Sequence, residues 1–310
     1  MPPRDRVAII GVGHVGATTA YALMLRALFR EIVLVDSDAA LADAEGADLS
    51  DANALTRPAR IWAGDFADAA SARIAIITAG AVTHGSQPRL SVASKSAAIV
   101  SACVRQLTDK GFDGVIVVAA NPVDLMTQIA FRYSGLPAGR VLGTGTLLDS
   151  SRLRQALATA LQISSASVEG FVLGEHGDSE VAAFSTVRVG GLALDRFAAG
   201  AAPDHTQIAN EVREAGYRIA TGKGYTSFGI ATATVRLCEA VLRDEKVVLP
   251  VSTLLTGQYG ISDIFLSLPC ILGASGVERV LEPELTAAEL DSLRASAAAL
   301  KTAMNALDAE

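Results

Sequence analysis

Short apolar runs rich in β-branched residues alternate with longer helical patterns through the first 145 residues. RVAIIG (6–11), EIVLVD (31–36), RIAIITAG (73–80), GVIVVAAN (114–121) and RVLGTG (140–145) are near-continuously apolar rather than alternating. A strand that is apolar on both sides belongs in a parallel sheet covered by helices. Helical patterns at 14–29, 38–54, 89–110 and 123–133 fall between these runs. The alternation predicts right-handed crossovers and a doubly wound α/β sheet over residues 1–145.

Beyond that point the order of elements changes. A helix is expected at 147–161, then strands in VEGFVLG and AAFSTVRVGG, then helices near 205–221 and 227–243. Two strand-like runs follow, KVVLPVSTLLTGQYG and DIFLSLPCILGASG, and a last helix at 286–308. Thr286 and Glu289 have the spacing of a capping box at its start. This mixed order predicts a second, α+β domain over 146–310. No Pro/Ser-rich tether separates the halves, so a cleft between packed domains is expected.

With 310 residues, half of them apolar and 19% charged, the chain reads as globular. A net charge of −7 argues against general affinity for nucleic acid or anionic membrane. No apolar run approaches the ~18 residues of a membrane span. The opening MPPRDRVAIIGVG lacks the apolar core and cleavage site of a signal peptide. Cys103, Cys238 and Cys270 are an odd number at wide spacing, fitting neither a disulfide framework nor a metal site. Reduced thiols in a cytosol, and no metal, are the expectation.

GVGHVG places Gly11, Gly13 and Gly16 at GxGxxG spacing, directly after a strand and opening a helix. Such glycines permit a tight turn, close approach to a pyrophosphate and close strand–helix packing. Asp36 ends the next strand, where a carboxylate accepts from ribose hydroxyls and repels a 2′-phosphate. NAD is therefore expected over NADP. Val15 lies in the same loop, and His14 reads as a helix-start residue. Thr78, Ala79 and Gly80 end the strand at 73–80, small enough to let the backbone approach a cofactor, although a plain strand-ending turn explains them equally well.

Reducing a carbonyl by hydride transfer needs a proton donor, an anchor for the substrate and positive charge near the oxygen. GEHGDS sets His176 between two acids and two glycines. LLDSSRLR puts Asp149 and Arg152 on one helix face. Asp149 could orient a histidine and Arg152 could fork onto a carboxylate, but spacing alone favours a surface ion pair. Asn121 begins NPVD at a strand's carboxyl end, in a turn that suits a cis proline. HGSQPRL (84–90) is a polar segment with the look of a lid and carries Arg89.

Taken together, GVGHVG, TAGA, NPVDLM, LLDSSRLR, GEHGDS, KGYTS and FLSLPCILG resemble the lactate/malate dehydrogenase family along the whole chain, on its L-lactate dehydrogenase side. The resemblance implies a Rossmann NAD-binding domain and an NAD-dependent enzyme interconverting L-2-hydroxy and 2-oxo acids. It implies that His176 protonates the substrate oxygen and that Asp149 raises its affinity for a proton. It implies that Arg152 binds the substrate carboxylate, Arg89 polarises the carbonyl, Asn121 bonds near the substrate oxygen and the cofactor, Thr226 lines the pocket and Ile230 presses on the nicotinamide. A homotetramer, or failing that a dimer, is implied as well.

Two positions depart from the family. Thr83 stands where lactate enzymes carry Gln and malate enzymes Arg, and Gly216 where Ala is common. Both enlarge the pocket, which predicts side chains bulkier than that of pyruvate. Malate's second carboxylate lacks an obvious partner, and burying it unpaired is costly; His84 is the one neighbour that could serve, so malate dehydrogenase is the alternative. The alternative of another class is a non-catalytic NAD-binding module. The lid's usual Gly-Glu is replaced by Ser86, Gln87 and Pro88, so its closure could differ from that of relatives. Fructose 1,6-bisphosphate activation is expected to be absent, because Glu169 replaces a histidine that would face the effector beside Arg154. His84 and His205 fall in predicted loops, as solvated residues.

Overall fold

The five apolar runs of the first half become β1 (Arg6–Ile10), β2 (Glu31–Val35), β4 (Ile74–Ile77), β5 (Val115–Val118) and β6 (Val141–Gly143), joined by a further strand, β3 (Arg60–Ala63), in a computed structural model that describes residues 5–81, 92–201 and 203–309. All their pairings are parallel, in the order β3-β2-β1-β4-β5-β6. Helices α1 (His14–Leu25), α2 (Ala39–Asn53), α3 (Phe66–Ala70), α4 (Ala93–Asp109) and α5 (Val123–Ser134) cover both faces. β4 and β5 are buried at every position, which is why their sequences show no alternation. The order reverses between β1 and β4, and the crevice at their carboxyl ends is where such sheets bind ligands.

The second half contributes α6 (Leu147–Leu161), β7 (Val168–Leu173), β8 (Val181–Val189), β9 (Leu192–Ala193), α7 (Leu194–Ala198), α8 (His205–Lys223) and α9 (Phe228–Leu242), then β10 (Val247–Thr256), β11 (Ser262–Gly273), β12 (Gly276–Val280) and α10 (Ala287–Asp308). β10, β11 and β12 run antiparallel and join β6 through Ser252 and Gly143, so one nine-stranded sheet crosses both halves. Gly143 has to be glycine there: a Cβ would meet the Thr127 hydroxyl at 2.3 Å and Ser252 Cβ at 2.9 Å. β7, β8 and β9 form a separate small sheet around Leu153, Leu157, Val172, Val187 and Val212. Thr286 and Glu289 complete the capping box at the start of α10.

Five short elements, β3, α3, β9, α7 and β12, have no counterpart in the sequence expectations. Each has two to five residues, too few for hydrophobic periodicity to register. His205 is not a solvated loop residue. It opens α8, stacks on Phe184 with ring centroids 4.0 Å apart, and has a buried Nε2. Thr83, His84, Ser86, Gln87, Pro88 and Arg89 lie outside the described residues.

Candidate functional site

A cavity of about 870 Å³ opens at the crevice beyond β1, β4 and β5, between the glycine loop and α8–α9. Gly11 takes φ +96°, and a Cβ on it would lie 2.5 Å from the Ala79 nitrogen. A Cβ on Gly16 would meet the Gly11 carbonyl oxygen at 1.9 Å, so only glycine lets α1 pack this closely. Gly13, the N-cap of α1, has open space around its missing Cβ, and Val15 lines the cavity beside it. The α1 N-terminus therefore presents bare backbone to the cavity, as an anionic pyrophosphate requires. Thr78 binds the Gly11 carbonyl through its hydroxyl, and Thr78, Ala79 and Gly80 all line the wall.

Asp36 also borders the cavity. Its Oδ2 accepts from the Val12 N–H at 2.7 Å and its Oδ1 from the Asp38 N–H at 3.0 Å. Oδ1 also accepts from the Ser37 hydroxyl at 3.4 Å, and Oδ2 keeps a further lone pair for a ribose hydroxyl. This carboxylate thus steadies the glycine loop while facing the nucleotide position. Asn121 follows β5, is joined to Pro122 by a cis bond, and has a buried Oδ1 that accepts no hydrogen bond among the described residues. Bare loop backbone, a placed carboxylate and an orphaned amide acceptor fit a nicotinamide dinucleotide.

The other end of the cavity gathers charged groups. Asp149, in the first turn of α6, is 1% exposed. Its Oδ2 lies 2.5 Å from His176 Nδ1, and its Oδ1 accepts from Arg152 Nη1 at 2.8 Å. The pair is buried rather than a surface salt bridge, and Arg152 and His176 both reach the cavity. Neither acid beside His176 in sequence is its partner. Glu175 accepts from the Ser179 hydroxyl, and Asp178 from the Tyr217 hydroxyl at 3.1 Å.

Three elements hold the histidine loop. Gly174 bridges to Ser267 of β11 through two backbone bonds and then turns at φ +87°. The Glu175 N–H donates to Ser296 of α10 at 2.9 Å. The His176 N–H donates to Oδ2 of Asp124 on α5, also at 2.9 Å. Burial pushes the Asp124 carboxyl up to about 6, and the His176 backbone only partly offsets it. The Ser252 hydroxyl lies near enough to moderate the charge but outside hydrogen-bonding geometry. Sequence reasoning passed over both Asp124 and Ser296. An acid opening an otherwise apolar helix in NPVDLM was the available signal for the first; a serine among alanines offered none for the second.

Glu180 adds a third potential ligand, within 4.8 Å of the His176 and Asp149 atoms. Two ligands of one tetrahedral zinc sit about 3.3 Å apart. At 2.5 Å, His176 Nδ1 and Asp149 Oδ2 are spaced for a direct hydrogen bond and not for two ligands of one ion. Gly216 is buried in the cavity wall, and Thr226 and Ile230 line the side facing the glycine loop.

Comparison with known proteins agrees with this arrangement. Residues 5–143 match the lactate/malate dehydrogenase NAD-binding domain, and residues 146–310 match the alpha/beta C-terminal domain of that family. The L-lactate dehydrogenase of Thermus aquaticus is 43% identical over 307 residues, 97% of this chain and 99% of the relative. That of Priestia megaterium is 40% identical over 304 residues, 97% of this chain and 96% of the relative. The crystal structure of minor L-lactate dehydrogenase from Enterococcus mundtii in the ligands-bound form superposes with a TM-score of 0.94 at 38% identity, covering 97% and 98% of the two chains. Fold, cavity and matched sequence converge: the chain belongs to the lactate/malate dehydrogenase family, as an NAD-dependent oxidoreductase.

Proposed function

We propose that the protein interconverts L-2-hydroxy and 2-oxo acids and accepts side chains larger than the methyl of pyruvate. The observation that carries this reading is a buried carboxylate, Asp149, shared between His176 and Arg152 at one end of a cavity that fits a dinucleotide. NAD, when bound, supplies the hydride acceptor, and its reduced form the donor. His176 gives its Nε2 proton to the substrate oxygen in reduction and takes it back in oxidation. Asp149, on Nδ1, fixes the ring and offsets the charge of the protonated imidazole. Arg152 spends one N–H on Asp149 and has four others with which to fork onto the substrate carboxylate.

Asn121 offers its Oδ1 to the carboxamide of the cofactor and its amide nitrogen to the substrate oxygen. Ile230 bears on the nicotinamide ring and Thr226 on the substrate. Arg89 polarises the carbonyl and Thr83 reads the side chain, by the family resemblance. Gly216 leaves the cavity wall without a side chain, which supports the larger substrate. Free thiols at Cys103, Cys238 and Cys270, the last two buried, accord with a cytosolic enzyme. Among the described residues no helix is long and apolar enough to cross a membrane.

The test is NADH oxidation with pyruvate, oxaloacetate, 2-oxoisocaproate and phenylpyruvate. Turnover is expected, with kcat/KM for 2-oxoisocaproate or phenylpyruvate at least equal to that for pyruvate. His176→Ala should lower kcat by about 10²–10⁴ on every substrate. A large preference for oxaloacetate would overturn the open-pocket reading, and an unchanged kcat in the histidine variant would overturn the mechanism.

A further inference from the structure

The loop that binds the cofactor carries a side chain with no part in the scheme above. His14, the first residue of α1, sits between Gly13 and Val15 on the cavity wall. Its ring stacks on Tyr225 with centroids 3.8 Å apart and planes 9° from parallel. Tyr225 reaches it because α8 ends at Gly224 in the left-handed conformation, φ +89°, which turns the chain back toward the glycine loop. Lys223 lies over the same tyrosine ring at 4.4 Å and over Phe228 at 3.8 Å.

The contact joins two elements far apart in sequence at one end of a helix pair. His14 and Tyr225 meet at the N-terminal ends of α1 and α9, and Arg26 and Glu239 pair at 3.1 Å near their C-terminal ends. The two helices therefore run side by side in the same direction, with both positive dipole ends at the cavity. Parallel dipoles repel, and an anion between the two N-termini relieves that repulsion. An aromatic stack at this edge spans the gap the pyrophosphate must cross.

We propose that His14 and Tyr225 form an aromatic clasp over the pyrophosphate stretch of the cofactor groove, retaining the dinucleotide and tying the glycine loop to the segment that carries Thr226 and Ile230. Both are positioning residues, acting through their faces rather than through proton transfer. The inference rests on NAD as cofactor and is independent of which 2-oxo acid is reduced.

The experiment is fluorescence titration and stopped-flow displacement of NADH from the full chain, with no 2-oxo acid present. Stacked aromatic pairs support a loss of about two- to ten-fold in affinity on removing either ring. His14→Ala and Tyr225→Ala should each show that loss, mainly as faster NADH dissociation. Their double variant should be little worse than either single one. His14→Phe and Tyr225→Phe, which keep the faces, should bind within two-fold of the parent. His14→Leu, which fills the space without a ring, should behave like alanine and decides the matter if the alanine variants fold poorly. Equal losses for His14→Phe and His14→Ala would overturn the clasp, as would strictly additive effects in the double variant, or unchanged binding in His14→Ala or His14→Leu. Because NADH binding is read alone, an intact clasp in an enzyme inactive on the acid panel would condemn the substrate reading only.

Discussion

At the scale of single residues, the site depends on how buried charges are answered. Asp149 is held by the Arg152 guanidinium on one oxygen and by the His176 ring on the other. Asp124, 2% exposed, accepts from the His176 backbone N–H, and burial still pushes its carboxyl up. Its folded pKa of about 6 lies above the ordinary carboxyl value of 3.8, because burial penalises the anion. Below about pH 4 the group is protonated in both folded and unfolded chains and costs nothing. Between pH 4 and 6 the unfolded chain releases the proton while the fold retains it, so stability falls as pH rises. Above pH 6 the penalty is complete. Asp124→Asn keeps an acceptor for His176 and removes the charge. Its melting temperature relative to the parent should therefore climb from pH 4 to pH 7 and then level off. A difference that does not vary with pH would show that the burial of this carboxyl is not what sets stability there.

At the scale of elements, His176, the proposed acid–base, owes its place to a joint rather than to a helix. β7 ends where Gly174 pairs with Ser267, and the chain then turns under α10. A Cβ at position 174 would lie 2.9 Å from the Ser296 hydroxyl, on a backbone at φ +87°. Gly174→Ala should cost about 1–3 kcal/mol, the range of a strained left-handed residue, and should lower kcat by shifting His176 against Asp149. Urea unfolding and steady-state kinetics on the same preparation test both parts. Loss of stability with kcat intact would mean that Asp124 alone suffices to place the loop.

At the scale of the whole molecule, the nine-stranded sheet runs from the N-terminal half of the chain into the C-terminal half, so both halves share one framework. Regulation by fructose 1,6-bisphosphate is expected to be absent. Glu169 stands exposed on β7 with Arg188 as its cross-strand neighbour, and burial of Arg154 disfavours its charged form. An acid at that face repels a bisphosphate. Substrate KM measured with and without the effector should agree, and a clear drop would refute the prediction.

The chain by itself determined the alternation of buried strands and helices, the glycine loop, and the motifs that bring His176, Asp149 and Arg152 to one cavity. These are local or strongly periodic features: a strand buried on both faces must be apolar throughout, and only glycine fits where Gly16 meets Gly11. Tertiary structure decided the rest. Pairing of β10 with β6 merged the halves into one sheet through contacts more than a hundred residues apart. Packing of α5, α6 and α10 around one loop chose Asp149 over Glu175 and Asp178 as the histidine's partner, and made Asp124 and Ser296 part of the site. Burial and direction are properties of surroundings assembled from distant segments, and no spacing along the chain encodes them.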